Sequence, residues 1–168
     1  MSAVKTLETR TTATFLAKEG IELAYNLRDS NLAQWYDWNC LPKDEIASLN
    51  EAPQDICSYY LASWNAVDKI LKIWFSPEKY MYYDLVDAKD LFDTTRLSHI
   101  EGSGFSWYGY DWLDDQKSMF ARYLVFTGVV ENKEILPKDK ILKLESHVIW
   151  QQWSSMWEVV LESFIWNY

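Results

Sequence analysis

The fold of this chain is decided by residues 13–31, which read ATFLAKEGIELAYNLRDSN. Apolar and small residues recur there at spacings of three and four: Ala13, Leu16, Gly20, Leu23 and Leu27. This period places one narrow stripe on a helix, with charged residues around it. We therefore predict that this stripe is the packing face of a helix. Gly20 costs about 1 kcal/mol relative to alanine in a helix interior, which indicates that something approaches closely there.

The rest of the chain is predicted to contain mainly turns and strands. Residues 1–34 are predicted to form the helix, and residues 35–65 a loop region with both cysteines. Residues 66–168 are predicted to supply a sheet, interrupted by a variable loop at 87–117, with a closing hairpin formed by residues 141–151 and 157–168. We thus expect a single α+β domain, in which a long N-terminal α-helix packs on an antiparallel β-sheet, with a long irregular loop region in the middle.

Composition narrows the possible functions of the chain. Its 168 residues carry a net charge of −9 and no sizeable basic cluster, which argues against binding to nucleic acid or to an anionic membrane surface. The sequence contains no run of eighteen apolar residues, which is the length needed to span a bilayer. The polar first residues do not resemble a signal peptide. Because Met1 stands directly before a helix already in progress, we expect the chain to be a truncated form of a longer gene product.

The two cysteines enclose sixteen residues rich in Pro, Asn and Asp. Cys40 and Cys57 form no Cys-x-x-Cys pair and have no nearby histidine in sequence, so a zinc or redox motif is not indicated. Two interpretations stay open. Either these are two unrelated buried thiols, or they form a disulfide that closes the loop, as is common in exported proteins. Such a bond would contribute about 3 kcal/mol to stability.

Residue patterns for catalysis are missing from the sequence. Neither a glycine-rich phosphate loop nor a nucleophile elbow occurs, so we predict no enzyme, no catalytic residue and no cofactor. His99 and Glu101 could bind a metal only with a third ligand that the sequence does not define. Three acidic residues are weak calcium candidates, although a solvated acidic loop is the simpler interpretation. These residues are Asp111, Asp114 and Asp115.

Aromatic side chains cluster in the same loop, within residues 102–116. They form a possible binding loop for a glycan or a protein, and otherwise they simply cover a sheet edge. These residues are Trp107, Tyr108, Tyr110 and Trp112.

Both ends of the chain resemble one family. Residues 16–22, LAKEGIE, and 26–31, NLRDSN, resemble the end of the N-terminal helix in bacterial type IV pilin-like proteins, which include the pseudopilins. Residues 120–124, FARYL, are similar to a strand of the same family. Residues 148–150, VIW, with 159–162, VVLE, and the final NY resemble its closing hairpin. The resemblance covers about a third of the chain by this count and leaves its middle unmatched.

The resemblance implies a non-enzymatic structural subunit of a type IV pilus or a related secretion pseudopilus. Its partners would be other pilin subunits and the assembly machinery, which it would join through its N-terminal helix. It would be located at the cell surface, anchored in the membrane before assembly. The anchor would be a preceding segment of about twenty apolar residues, long enough to cross a bilayer. The alternative function is a surface adhesion module that uses the aromatic loop at 102–116.

The balance of tryptophan and glycine is unusual, with ten Trp and five Gly. The family favours glycine in the turn of the closing hairpin, where this chain has Gln152, Trp153 and Ser154. Tryptophan is a poor residue for a turn that needs positive φ. One hypothesis is that some Trp positions are glycine in a native host that reads UGA as glycine, with Trp38, Trp153 and Trp157 as candidates. The alternative is a naturally Trp-rich protein.

Overall fold

A computed structural model of the protein describes residues 3–42, 57–60, 69–73, 80–84, 92–93, 95–102, 105–109, 117–131, 134–135 and 140–167. Within these residues, helix α1 (Ala3–Ala33) comes first and is followed by eleven strands. They are β1 (Cys40–Pro42), β2 (Cys57–Tyr60), β3 (Lys69–Ile73), β4 (Tyr80–Asp84), β5 (Arg96–Gly102), β6 (Phe105–Gly109), β7 (Lys117–Gly128), β8 (Val130–Glu131), β9 (Glu134–Ile135), β10 (Ile141–Gln152) and β11 (Ser155–Trp166). Within the described residues, no helix is both long enough and apolar enough to cross a membrane.

The main sheet is antiparallel, and its strand order is β11-β10-β7-β3-β4. Strand β7 has two neighbours on its other edge, because β3 pairs with it at Leu124 and β5 pairs with it at Ala121 and Lys117. Strand β6 pairs with β5. The ladders β1–β2 and β8–β9 are separate. One helix on an antiparallel sheet is an α+β architecture, as predicted.

The long hairpin β10–β11 pairs without a break from Ile141↔Trp166 to Gln152↔Ser155. Along β10 the residues that face α1 are buried, while Lys143, Glu145 and His147 on the opposite face are only partly covered. This alternation is typical of a sheet whose one face packs on a helix. The strand pattern read from residues 141–151 is therefore confirmed.

Helix α1 packs on the sheet through two apolar clusters. The first apolar cluster consists of Ala13, Leu16, Ala17, Leu97, Phe120, Val148 and Trp150. The second apolar cluster consists of Leu23, Ala24, Leu27, Trp38, Leu124, Phe126, Leu142, Leu144 and Ile165. A third, outer cluster lies on the other face of the sheet and consists of Phe92, Ala121, Tyr123, Val125 and Ile149. The sheet is thus covered on both faces along β7, its central strand.

The prediction of an irregular loop at 87–117 is wrong for part of that range. Residues 96–102 and 105–109 form the hairpin β5–β6, and β5 joins the edge of β7. Leu97 in β5 is fully buried, and Arg96 Nε donates a hydrogen bond to the Ser118 carbonyl at 2.6 Å. This hairpin was not predicted, because its strands lack an apolar period. Strand β5 also depends on β7 for the pairing that joins it to the sheet. The loop region at 35–65 likewise contains the short ladder β1–β2.

Asn31 connects the end of α1 to the segment that follows. Its side chain is 2 % exposed, and Nδ2 donates to the carbonyls of Trp38 at 3.2 Å and of Cys40 at 2.8 Å. These bonds satisfy two buried carbonyls and fold the chain back under the helix. They position β1 beside the second apolar cluster.

Candidate functional site

Helix α1 approaches the sheet closely at Gly20. A Cβ added to Gly20 would collide with Ser146 Oγ of β10. It would also lie 3.1 Å from Leu124 Cδ2 and 3.2 Å from Arg122 Cδ of β7. Glycine is therefore required here by the protein's own sheet, since any side chain would have to displace these neighbours.

An ion pair between helix and sheet lies next to this contact. Arg122 Nη1 is 2.7 Å from Glu19 Oε2, and it also donates to the Leu16 carbonyl at 3.2 Å. The Arg122 side chain is 3 % exposed and that of Glu19 is 31 % exposed. A charge-assisted hydrogen bond of this kind restrains the position of one element relative to another. The pair sets where along its length α1 rests on β7.

We call Glu19, Gly20, Arg122 and Ser146 the helix–sheet junction. It lies along α1 between the first apolar cluster, which ends at Ala17, and the second, which begins at Leu23. Ser146 Oγ is buried and has no hydrogen-bond partner among the described residues. A polar layer between two apolar layers favours one register, because sliding the helix by one turn would bury Glu19 against apolar side chains.

An apolar stripe on α1 faces solvent. Val4 is 63 % exposed, and Leu7 and Phe15 are each 67 % exposed. With exposed Thr11 these residues recur at spacings of three and four, so they share one helix face. Since Ala13 and Leu16 point into the sheet, this outer helix stripe lies on the opposite side of α1. Three exposed large side chains in one row indicate an interaction surface.

Polar groups on the outer face of the sheet form a connected cluster. His147 Nδ1 lies 2.8 Å from Glu158 Oε1, and the Tyr123 hydroxyl donates to the same oxygen at 3.4 Å. The rings of Tyr123 and His147 stack with centroids 4.6 Å apart. Burial raises the pKa of Tyr123 well above its ordinary value of 10.0, and the negative charge of Glu158 raises it further.

Lys143 belongs to the same face and bridges two carboxylates. Its Nζ lies 2.8 Å from Glu162 Oε1 and 2.9 Å from Glu145 Oε1. These hydrogen bonds raise the pKa of Lys143, and the bond from Lys143 lowers the pKa of Glu162. The arrangement ties β11 to β10 across the hairpin.

The raised pKa of Tyr123 predicts an alkaline loss of stability. Below pH 10 the folded and unfolded chains both hold the phenol proton, so this group leaves stability unchanged. Above it the unfolded chain ionises first, and the free energy of unfolding falls by about 1 kcal/mol near pH 11. Urea unfolding measured from neutral pH to about pH 11 gives the free energy of unfolding at each pH. This free energy should fall less with pH for Tyr123→Phe than for the wild type. An equal fall of the free energy of unfolding in both proteins would contradict the raised pKa of Tyr123. The other tyrosines are present in both proteins, so their contributions cancel in the comparison.

The residues predicted to pack the helix all lie buried at the sheet. Their exposed fractions are 0 % for Ala13, 5 % for Leu16, 5 % for Leu23 and 2 % for Leu27, and Gly20 is buried too. Cys40 is buried and is not a free thiol. Strand β1 pairs with β2, which contains Cys57, the other cysteine of the chain. The Cys57 side chain lies outside the described residues, so the Cys40–Cys57 bond stays a prediction.

The predicted aromatic binding loop is only partly described. Trp107 lies on β6 and is 39 % exposed. Tyr108 points inward instead, with its ring centroid 5.6 Å from that of Phe120 and 4.9 Å from that of His99. Tyr110, Trp112 and the calcium candidates Asp111, Asp114 and Asp115 lie outside the described residues. Binding by this loop therefore stays a prediction.

Metal binding has no support in the described part of the chain, where no three His, Cys, Asp or Glu side chains are grouped to hold an ion. His99 Nδ1 is 3.9 Å from Glu101 Oε1, and this pair alone offers two donors.

Sequence reasoning missed Ser146 and the outer helix stripe. The alternation along β10 places Ser146 on the same face as Leu144 and Val148 and so could have indicated its burial, but spacing alone could not show that it meets Gly20. The period of Val4, Leu7 and Phe15 could have been found, but the threonines between them obscured it. Comparison of the chain with protein-family models, with curated proteins and with solved structures found no match.

Proposed function

We propose that this protein is a non-enzymatic structural subunit of a pilin-like surface filament. It would assemble through α1 with other copies of itself or with related subunits. In this proposal the helix has two faces with different tasks. One packs on the protein's own sheet, and the other contacts neighbouring subunits.

The outer helix stripe is the observation that carries the proposal. Val4, Leu7 and Phe15 expose between 63 % and 67 % of their surface, on a helix of 31 residues. Exposed apolar side chains in one row are costly for a protein that works alone and ordinary for one that assembles. Residues 4–8 are all exposed, so the first turns of α1 present an accessible surface.

The helix–sheet junction supports the same proposal. Two of the segments that resemble pilin-like proteins meet there, because Glu19 belongs to the helix segment and Arg122 to the strand segment 103 residues later. Gly20 of the helix segment is a point of close approach. Close packing and an ion pair would hold the helix rigidly on its domain, as a load-carrying subunit requires. The predicted disulfide would fit a protein that functions outside the cytoplasm.

Cysteine cross-linking in the native host tests the proposal. The full-length gene product is expected in filaments sheared from the cell surface. Leu7→Cys or Phe15→Cys, treated with a bifunctional thiol reagent, should give a cross-linked dimer on a denaturing gel, because each subunit carries one engineered thiol. Lys140→Cys is the matched control, since Lys140 is exposed and lies outside α1. It should leave the protein monomeric under the same treatment.

Two results would contradict the proposed function. One is a gene product found only in the cytosolic fraction. The other is cross-linking at Lys140→Cys equal to that at Leu7→Cys, because contact would then be independent of the outer helix stripe. The gene itself offers a simpler check, since an apolar segment is expected directly before Ser2.

A further inference from the structure

Trp35 occupies a backbone position at the end of α1 that favours glycine. Its φ is 62°. The amide of Tyr36 donates to the Asn31 carbonyl at 2.9 Å, and the amide of Trp35 donates to the Leu32 carbonyl at 3.1 Å. These two bonds define a Schellman motif with Trp35 as the residue that takes the left-handed conformation. Glycine is the usual residue there because it has no Cβ to clash with the backbone.

Trp153 occupies a second position of this kind, in the turn of the β10–β11 hairpin. Gln152 and Ser155 are paired, so Trp153 and Ser154 form a two-residue turn. Trp153 has a φ of 60°, and Ser154 is not among the residues with positive φ. Positive φ at the first central residue alone is the pattern of a type II′ turn, which has glycine at that place.

Neither indole ring compensates for its backbone strain by packing. Trp35 is 91 % exposed and Trp153 is 79 % exposed. Among the described residues these two are the non-glycine residues with positive φ. A large, rigid side chain is an outlier in this region. Two independent backbone sites that favour glycine therefore carry the same unsuitable residue, with its ring in solvent.

The other tryptophans in the described part do not have a positive φ, so their backbone does not favour glycine. Trp38 is 3 % exposed in the second apolar cluster, and Trp150 is 4 % exposed in the first. Trp157 lies within β11, and its ring stacks on that of Trp150 with centroids 6.5 Å apart. Of the three positions suspected from sequence, the backbone thus supports Trp153, while Trp38 and Trp157 fit as they stand. Trp35 is a new candidate.

We propose that codons 35 and 153 of the native gene are UGA and that the host reads them as glycine. UGA is a stop codon in the standard code, but it specifies tryptophan in one variant code and glycine in another. Translating a glycine UGA by the tryptophan rule would place tryptophan where the backbone requires glycine. The proposal concerns decoding, and it stands or falls separately from the assembly proposed above.

Two native measurements test this proposal together. Genomic sequencing should find TGA at both codons, and mass spectrometry of the protein from its host should find glycine in both peptides. TGG at either codon, or tryptophan in either native peptide, would overturn it. Neither measurement depends on whether the protein forms filaments.

Stability tests the backbone reasoning directly. Trp35→Gly and Trp153→Gly should each raise Tm by about 2–4 °C, the shift expected for relief of one strained residue in a chain of this size. Trp38→Gly and Trp157→Gly are matched controls, and both should lower Tm. The first removes a buried side chain, and the second weakens a strand interior. A lower Tm for Trp35→Gly or Trp153→Gly would overturn the inference at that position.

Discussion

Gly20→Ala is expected to destabilise the protein by about 1–3 kcal/mol, although alanine is the better helix former by about 1 kcal/mol. The added methyl group would collide with Ser146 Oγ and press on Leu124 and Arg122. Three neighbours from two strands surround the site, so moving one rotamer does not free it. Urea unfolding followed by far-UV circular dichroism measures the change through the free energy of unfolding.

A double-mutant cycle with Ser146→Ala identifies the cause. Ser146→Ala alone should be neutral or slightly stabilising, because it removes a buried hydroxyl group that lacks a partner. In the double variant the alanine methyl gains the space of Oγ, so part of the loss caused by Gly20→Ala should be recovered, while the contacts with Leu124 and Arg122 account for the rest. If the two changes are additive, the collision with Ser146 is not what excludes alanine. If Gly20→Ala is stabilising, helix propensity outweighs the close approach.

Glu19→Gln is expected to lower the free energy of unfolding by about 2 kcal/mol. The change removes the countercharge of Arg122, whose side chain is 3 % exposed and cannot move into water without unpacking α1. Removing one partner of a buried pair costs more than the pair itself contributes. The value is set below that for a fully buried pair because Glu19 is 31 % exposed. Urea unfolding at low and moderate salt measures it.

Arg122→Met with Glu19→Gln provides the control. The double variant contains no buried charge at the helix–sheet junction and keeps an unbranched side chain of similar length, so its stability should lie closer to the wild type than the sum of the single changes. A surface pair supplies the comparison. Glu22→Gln breaks the exposed contact with Lys18 and should change stability by less than about 0.5 kcal/mol. Equal losses for Glu19→Gln and Glu22→Gln would show that burial of Arg122 does not matter.

The parts of the fold that were predictable share one physical property. They show local periods, which can be read from the spacing of residues in a short window. These periods are the stripe through Leu16, Leu23 and Leu27 and the alternation along β10. Helix α1 and the closing hairpin were therefore predictable from short windows. The hairpin β5–β6 was not, because its residues show no period and its attachment to the sheet depends on the pairing of β5 with the distant strand β7.

The candidate site divides in the same way. Gly20 was recognisable as an awkward residue within a helix, since glycine propensity is an intrinsic property. That its neighbour is Ser146, 126 positions away in the chain, follows from the crossing of α1 over β10. The strained backbone at Trp35 likewise required the hydrogen bonds that end the helix. The unfavourable position of Trp153 was predictable from the sequence, because a tight turn between two clearly predicted strands restricts the φ angles of its residues.

The sequence by itself determined the long helix, its packing face, the closing hairpin and the acidic character of the chain. Each depends on local spacing or on composition. The tertiary structure alone decided that the sheet is the partner Gly20 approaches, that Glu19 pairs with Arg122, and that Val4, Leu7 and Phe15 stay exposed. Each of these joins residues distant in sequence or depends on what covers a surface. Such relations exist only after the chain has folded.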